Sequence, residues 1–253
     1  MSLDACARLV ARGDPDRFLA VLAAPVAARV RLLPLYAFNL EVARVPWVTD
    51  EPLIAEMRLQ FWRDVLADDH PPAHEVAGPL WQAMHESGID SKELDRIVQA
   101  RLWDVGRRAH ADAAALAAYL DDTAAGLMWA AGRVLGAPAA AEGGLRDLGW
   151  AAGLANYLRA VPALQAKGRI PLVDDRARAI SELAEQGLAR LSSARAQRHG
   201  FGAGRPAALA GWLARPILEQ ARRFPQRVAA GGLGVSEFTR RGRLLWVAAT
   251  GRF

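Results

Sequence analysis

Cysteine, long apolar runs and strand-forming residues are all scarce in this chain of 253 residues. Cys6 is the sole cysteine, which excludes a disulfide framework and a thiolate metal cluster. Charge-free stretches such as Phe18 to Ala28 and Thr123 to Gly132 fall well short of the roughly 20 apolar residues that span a bilayer. The first residues carry early acids and no long apolar run, so no secretory signal is expected and a cytoplasmic location is. Isoleucine and threonine are few and no segment sustains a period-two alternation, so strands are not expected. Also missing are Gly-x-Ser-x-Gly, His-Glu-x-x-His and an EF-hand loop, which removes three familiar hydrolase, zinc-protease and calcium-site readings.

Negative charge is short in one part of the chain. Residues 1–175 hold 18 Lys/Arg against 23 Asp/Glu, whereas 176–253 hold 14 Arg against 4 Glu, so the two parts carry −5 and +10. That asymmetry points to an anionic partner for the basic C-terminal part, either a membrane surface or an acidic protein face. The strong bias to arginine is also what a GC-rich genome produces. Nucleic acid is not expected, because no nucleic-acid-binding motif accompanies the charge.

What is present is helix. Asp50-Glu51-Pro52 is a helix start, with acids at the positive end and proline in the first turn. Leu53, Ile54, Met57, Phe61, Val65 and Leu66 then fall on one face. Asp90 and Glu93 resemble a capping box ahead of Leu94, Ile97, Val98, Leu102 and Val105. Further helices are expected at about 112–136, 140–165, 174–199, 206–223 and 236–249, separated by Gly- and Pro-containing breaks. Residues 25–45 also read as helix, which Pro34 should kink or split. The chain therefore reads as an all-α, single-domain bundle spanning 1–253.

Most candidate sites have a plain reading. His70 and His74 have the spacing of a zinc pair, but Pro71-Pro72 between them favours a loop. Gly231-Gly232-Leu233-Gly234 follows no strand and reads as a helix-ending turn. An all-α enzyme that ionises prenyl diphosphates needs acids one helical turn apart on two facing helices, so that both carboxylates reach one magnesium cluster. Asp68-Asp69, Asp121-Asp122 and Asp174-Asp175 lack a third acid one turn on. Asp64 and Asp68 have the spacing but lie on the polar side of their helix.

The chain nonetheless resembles the squalene/phytoene synthase family over about Asp16 to Asp174. The family's Tyr-Ala-Phe-Cys-Arg stretch survives as Tyr36-Ala37-Phe38, followed by Asn39-Leu40. The aspartates that follow in the family fall on Ala43, Arg44 and Trp47. A Tyr…Ala-Gly segment matches at Tyr119, Ala125 and Gly126. In the second motif the frame survives in Gly149, Ala151, Asn156 and Arg159, while its acids are replaced by Ala160 and Leu164. Gly168-Arg169-Ile170-Pro171-Leu172 then follows as the family's Gly-Arg-x-x-Leu-Pro does. Pro162 should bend the helix where the second motif ends.

The resemblance implies an isoprenoid-synthase-type helical fold with a cavity stripped of its metal ligands. Tyr36, Glu41, Arg44, Tyr119, Asn156 and Arg159 are its candidate pocket residues, with no metal and no cofactor. Phe38-Asn39-x-Glu41-Val42-Ala43, Arg58-Leu59-Gln60-Phe61-Trp62 and Leu158-Arg159-Ala160-Val161-Pro162 resemble the branch of the family that acts in assembly of respiratory complex I. That resemblance implies a pseudoenzyme whose partner is a complex I subunit or assembly intermediate. The old cavity would then hold an isoprenoid or lipid-like ligand or be filled by Trp and Leu side chains. Separately, the basic C-terminal segment, with Arg240, Arg241 and Arg243 beside Leu244-Leu245-Trp246-Val247, is expected either to touch the inner face of a membrane peripherally or to pack on the bundle with its arginines solvated. The alternative is a head-to-head prenyl diphosphate transferase, with magnesium held by Glu41 or by Asp64 and Asp68.

Overall fold

The computed structural model describes residues 3–70, 72–106 and 108–253. Pro71, expected in a loop, lies outside the described residues. Among the described residues there is helix and no strand. Three helices open the chain: α1 (Leu3–Gly13), α2 (Pro15–Ala23) and α3 (Val26–Ala43). Asp14 starts α2 by accepting from the Arg17 backbone N–H at 2.9 Å, with Pro15 in the first turn. Then come α4 (Val45–Val48), α5 (Pro52–Ala67), α6 (Ala77–Ser87) and α7 (Ser91–Arg101). Asp90 caps α7 through the Lys92 N–H at 2.9 Å, and Gly88 ends α6 in the left-handed region at φ +63°.

The segment expected as one helix at 112–136 is α8 (Ala113–Leu120) and α9 (Gly126–Val134), joined without a break by a π-helical turn at Asp121–Ala125. After it run α10 (Glu142–Ala166) and α11 (Ala177–Gln197). A 3₁₀ segment at Arg198–Gly211 follows, interrupted at Gly202 where φ is +53°. The chain closes with α12 (Ala214–Arg223), α13 (Gln226–Ala229) and α14 (Glu237–Thr250).

α10 is the axis of the bundle, packed by α9, α11, α12 and the π turn. Its glycines make the closest approach possible. A Cβ on Gly149 would lie 2.5 Å from Met128 Cβ and 2.7 Å from the Ala124 carbonyl, and one on Gly153 would lie 2.2 Å from Ala124 Cβ. The core runs through every layer, with Trp150, Trp212, Phe38 and Phe201 fully enclosed.

α3 runs on through Pro34 without a split, and α10 continues through Pro162, each proline removing one backbone donor. One sequence expectation is corrected: the apolar stripe of α5 divides. Val65 and Leu66 turn inward with Ala55, Leu59 and Trp62, while Leu53, Ile54, Met57 and Phe61 stay exposed.

Candidate functional site

The segment from the end of α3 through α4 separates two hollows. On one side is a cavity of about 230 Å³ between α3, α4, the α7 end, the π turn and α10. Ala43 and Trp47 line it from one wall, and Ala160 and Leu164 from the other. These are four of the five positions where the sequence comparison expected acids. Arg44, the fifth, faces the other hollow.

The chemistry of the cavity is concentrated at its α7 end. Helix α7 finishes at Arg101 and continues as a 3₁₀ turn over Leu102–Val105, which places Arg101 and Asp104 side by side. Arg101 Nη1 donates to Asp104 Oδ2 at 3.0 Å and to the Tyr119 hydroxyl at 2.6 Å. The Tyr119 hydroxyl donates to the same carboxylate oxygen at 2.8 Å. Arg169, arriving from beyond α10, donates to Asp104 Oδ1 at 3.5 Å and, through Nη2, to the Asp104 carbonyl. One buried carboxylate is thus held by two guanidinium groups and a phenol. Such charge-assisted bonds are the strong ones in a desolvated site.

The titration of these groups follows from burial. Burial opposes the Arg101 charge, but Tyr119 and Asp104 outweigh it and the guanidinium pKa is raised. Burial pushes the Tyr119 and Tyr157 hydroxyls well above the ordinary phenol value, so both stay protonated. His110 stacks on Trp103 with ring centres 3.7 Å apart, and burial lowers its pKa against the pull of Asp104. Tyr157 donates to the Pro171 carbonyl at 2.7 Å, pinning the Gly168–Leu172 stretch against α10.

The structure brings together only two of the six pocket candidates: Tyr119 and Asn156 line the cavity. Tyr36 is buried beneath it, with the Arg17 guanidinium 5.0 Å over its ring and its pKa pushed up to about 12, chiefly by burial. Arg159 turns away and pairs with Asp16 at 3.0 Å. Glu41 and Arg44 pair with each other at 2.7 Å on the far side of α3. Sequence reading missed Arg101, Asp104 and Arg169. The i,i+3 spacing of the first two was a weak signal, and nothing local linked them to Arg169.

Magnesium does not fit this cavity. Among the described residues Asp104 is the one acid in its lining, and that carboxylate is already taken. Among the described residues, no group of three His, Cys, Asp or Glu side chains converges as metal ligands would. The acids considered as substitutes lie elsewhere: Asp64 accepts from Gln60 at 2.7 Å on the exposed side of α5, and Asp68 accepts from the His70 backbone N–H at 2.8 Å. His74 Nδ1 accepts from the Val76 N–H at 3.1 Å ahead of α6.

The second hollow is a groove of about 410 Å³ between α3–α4 and α5. Val45, Val48, Ile54, Met57 and Phe61 line it, with the Glu41–Arg44 pair, Arg58 and His74. Burial raises the Glu41 pKa, opposed by Arg44 and His74. Beside the groove Leu53 is 69% exposed, and Met57 within it 64%.

The basic C-terminal part is less free than its charge suggests. Arg240 is held by Asp16 and Glu237, and Arg243 donates to the Trp212 carbonyl. Arg195 and Arg243 have lowered pKa values, first from burial and then from neighbouring arginines. Phe238, Leu245 and Trp246 project outward from α14. No helix among the described residues is long and apolar enough to cross a membrane.

Comparison with known proteins agrees with this architecture. The family model for squalene/phytoene synthase matches residues 10–179. Over 161 residues the chain is 30% identical to human and 31% identical to rat "NADH dehydrogenase (ubiquinone) complex I, assembly factor 6", covering 62% of this chain and 48% of each relative. The Drosophila melanogaster homolog is 29% identical over 175 residues, with 62% of this chain and 50% of that protein covered. The chain thus spans about half the length of the curated relatives it matches. Among solved structures, a dehydrosqualene synthase in complex with ligand superposes with a TM-score of 0.80 at 16% identity, over 98% of this chain and 95% of that one. A squalene synthase from Alicyclobacillus acidocaldarius superposes with a TM-score of 0.73 at 17% identity, over 87% and 93%. At those identities the superpositions establish the fold alone.

Proposed function

The chain belongs to the squalene/phytoene synthase family, and from that premise we propose that it is a non-catalytic member which helps assemble respiratory complex I by binding a protein partner. The observation that carries the non-catalytic half is the pairing of Ala43 and Trp47 with Ala160 and Leu164 across the cavity. A diphosphate between those two walls would meet apolar side chains and no metal, and the lining arginines are engaged already, Arg17 with Asp14 and Arg101 and Arg169 with Asp104. The volume supports the same reading: about 230 Å³ is below the roughly 300 Å³ at which drug-sized ligand sites begin, and condensation needs room for two prenyl chains.

The binding half is supported by the likeness to complex I assembly factors and by the apolar groove along α5. A partner helix with an apolar face would fill that groove, its acids meeting Arg58 on the rim. The outward Phe238, Leu245 and Trp246 with exposed Arg241 favour contact with an anionic membrane surface from the cytoplasmic side. An isoprenoid or other lipid-like molecule in the cavity would have to be short.

Two measurements test the proposal. Deleting the gene should impair assembly of the NADH:quinone oxidoreductase, and normal assembly in the deletion strain would refute the helper role. The purified protein with farnesyl or geranylgeranyl diphosphate, magnesium and a reductant should release no pyrophosphate. Robust turnover would restore the transferase alternative.

A further inference from the structure

We propose that a pocket at the seam of the α2–α3 link, the 3₁₀ segment and the end of α14 holds a single-chain amphiphile, an apolar tail carrying a carboxylate or a phosphate ester. The pocket lies apart from both hollows beside α4. The proposal goes beyond the assembly role and does not depend on it.

Three parts of the chain build the pocket. Ala24 and Pro25 come from the α2–α3 link, Phe201 and Leu209 from the 3₁₀ segment, and Val247 from α14. After α14 the chain turns at Gly251, in the left-handed region at φ +65°. The turn lays Phe253 parallel to Phe201, with ring centres 6.3 Å apart. Phe201, Val247 and Phe253 are buried and give the pocket apolar walls. The space among them is about 420 Å³, against about 230 Å³ for the cavity between α3 and α10, and it falls in the size range of small-molecule sites. A tail placed there would leave water and gain dispersion contacts with those walls.

The charge beside these walls is of one sign. The described lining holds no acid, and its charged members are Arg198 and Arg205. Arg198 Nη1 donates to the Arg195 carbonyl at 2.8 Å, and Arg205 Nη2 donates to the Thr250 carbonyl at 3.3 Å. These bonds serve the ends of α11 and α14, but a carbonyl takes a hydrogen bond without neutralising a charge. Neither arginine forms an ion pair among the described residues. A Cβ on Gly251 would lie 2.3 Å from Arg205 Nη2, so the glycine is what lets this guanidinium rest against the backbone beside the pocket.

The surroundings add to the positive field. Arg195 has its pKa lowered first by burial, then by Arg215, Arg198 and Arg252. Of these four arginines, Arg215 alone has an acid partner among the described residues, Glu219 at 2.8 Å. Apolar walls beside guanidinium groups without counter-ions select a molecule with a tail and an anionic end. A cationic head would meet like charge, and a tailless anion would leave the walls uncovered.

Calorimetric titration of the full chain tests this with octanoate and octyl phosphate as probes, and with octylammonium and acetate as controls. At least one of the two probes should bind, about tenfold or more tighter than either control. Arg205→Gln should weaken that binding by about tenfold, the worth of a charge-assisted hydrogen bond. Ala248→Trp supplies an independent arm. It fills the pocket from α14, leaves both arginines in place and should weaken binding by about tenfold or more. Arg205 and Ala248 are exposed, so both variants should melt as the parent does. Failure of both probes to bind, acetate binding as tightly as they do, or binding untouched by Ala248→Trp would overturn the proposal. Co-sedimentation with phosphatidylglycerol vesicles distinguishes a free molecule from a bilayer. Vesicle binding that Ala248→Trp abolishes, with neither soluble probe bound, would assign the seam to a membrane and overturn the proposal as well. Normal complex I assembly in a deletion strain would remove the helper role and leave octanoate or octyl phosphate binding unchanged.

Discussion

The cavity and the groove lie back to back across eight residues, and they are built on opposite principles. Residues 41–48 supply Ala43 and Trp47 to the cavity, and Glu41, Arg44, Val45 and Val48 to the groove. The cavity is smaller and walled in part by a buried polar network. The groove is apolar, and Val48, Ile54, Met57 and Phe61 in its lining stay exposed. A side chain in the first is fastened by its neighbours, whereas one in the second is available to a partner. The difference teaches that mutations on the two sides of α3–α4 should act on different quantities, stability on one and association on the other.

The largest effect should come from Gly149→Ala, whose new methyl has no room against Met128 and the Ala124 carbonyl. Overpacking of that kind should destabilise by about 3 kcal/mol or more, lowering Tm by roughly 6–12 °C in a thermal melt. An unchanged Tm would show that the packing of α10 against the π turn and α9 is looser than its geometry implies. Tyr119→Phe comes next. It removes one donor from Asp104 and one acceptor from Arg101, and should cost about 1–3 kcal/mol in urea denaturation with no change in m.

His110→Gln sharpens the comparison through pH. The His110 pKa is lowered in the fold, so the unfolded chain takes up a proton at higher pH than the folded chain does. The neutral ring's contribution is therefore complete above the unfolded value of about 6.5 and is lost as pH falls through the folded value. Denaturation at pH 7.5 and 5.5 should show a smaller acid loss in the variant than in the parent. The smallest stability effect belongs to the groove. Leu53→Ser with Met57→Ser should shift stability by no more than about 0.5 kcal/mol. The same pair should impair complex I assembly when it replaces the parent in a deletion strain. A large stability loss would place those residues in the core and erase the contrast.

The helices were legible because their ends are written locally, in Pro52 and Asp90 and in the glycine breaks. The resemblance to the family located the missing acids, and the structure lines the cavity with Ala43, Trp47, Ala160 and Leu164. Local pattern did not reveal which way α5 faces. Apolar residues occupy both sides of that helix, and periodicity does not distinguish a core face from a binding face. The π turn at Asp121–Ala125 was hidden for a related reason: it changes the phase of a helix without changing its composition. The Arg101–Asp104–Tyr119–Arg169 network depends on approaches across 15 to 65 positions of chain, which no local pattern records.

Asp16 shows what such long reach means in time. It accepts from Arg159 and Arg240, partners that follow it by 143 and 224 positions, and its carbonyl receives the Trp212 indole N–H from 196 positions away. At a synthesis rate of roughly 5–20 residues per second, Asp16 precedes Arg240 by about 10–45 seconds. For that interval α2 exists without the fastening that joins it to the last helix. A newborn chain therefore passes through a stage in which the first part of the family fold is present and its final clasp is still open.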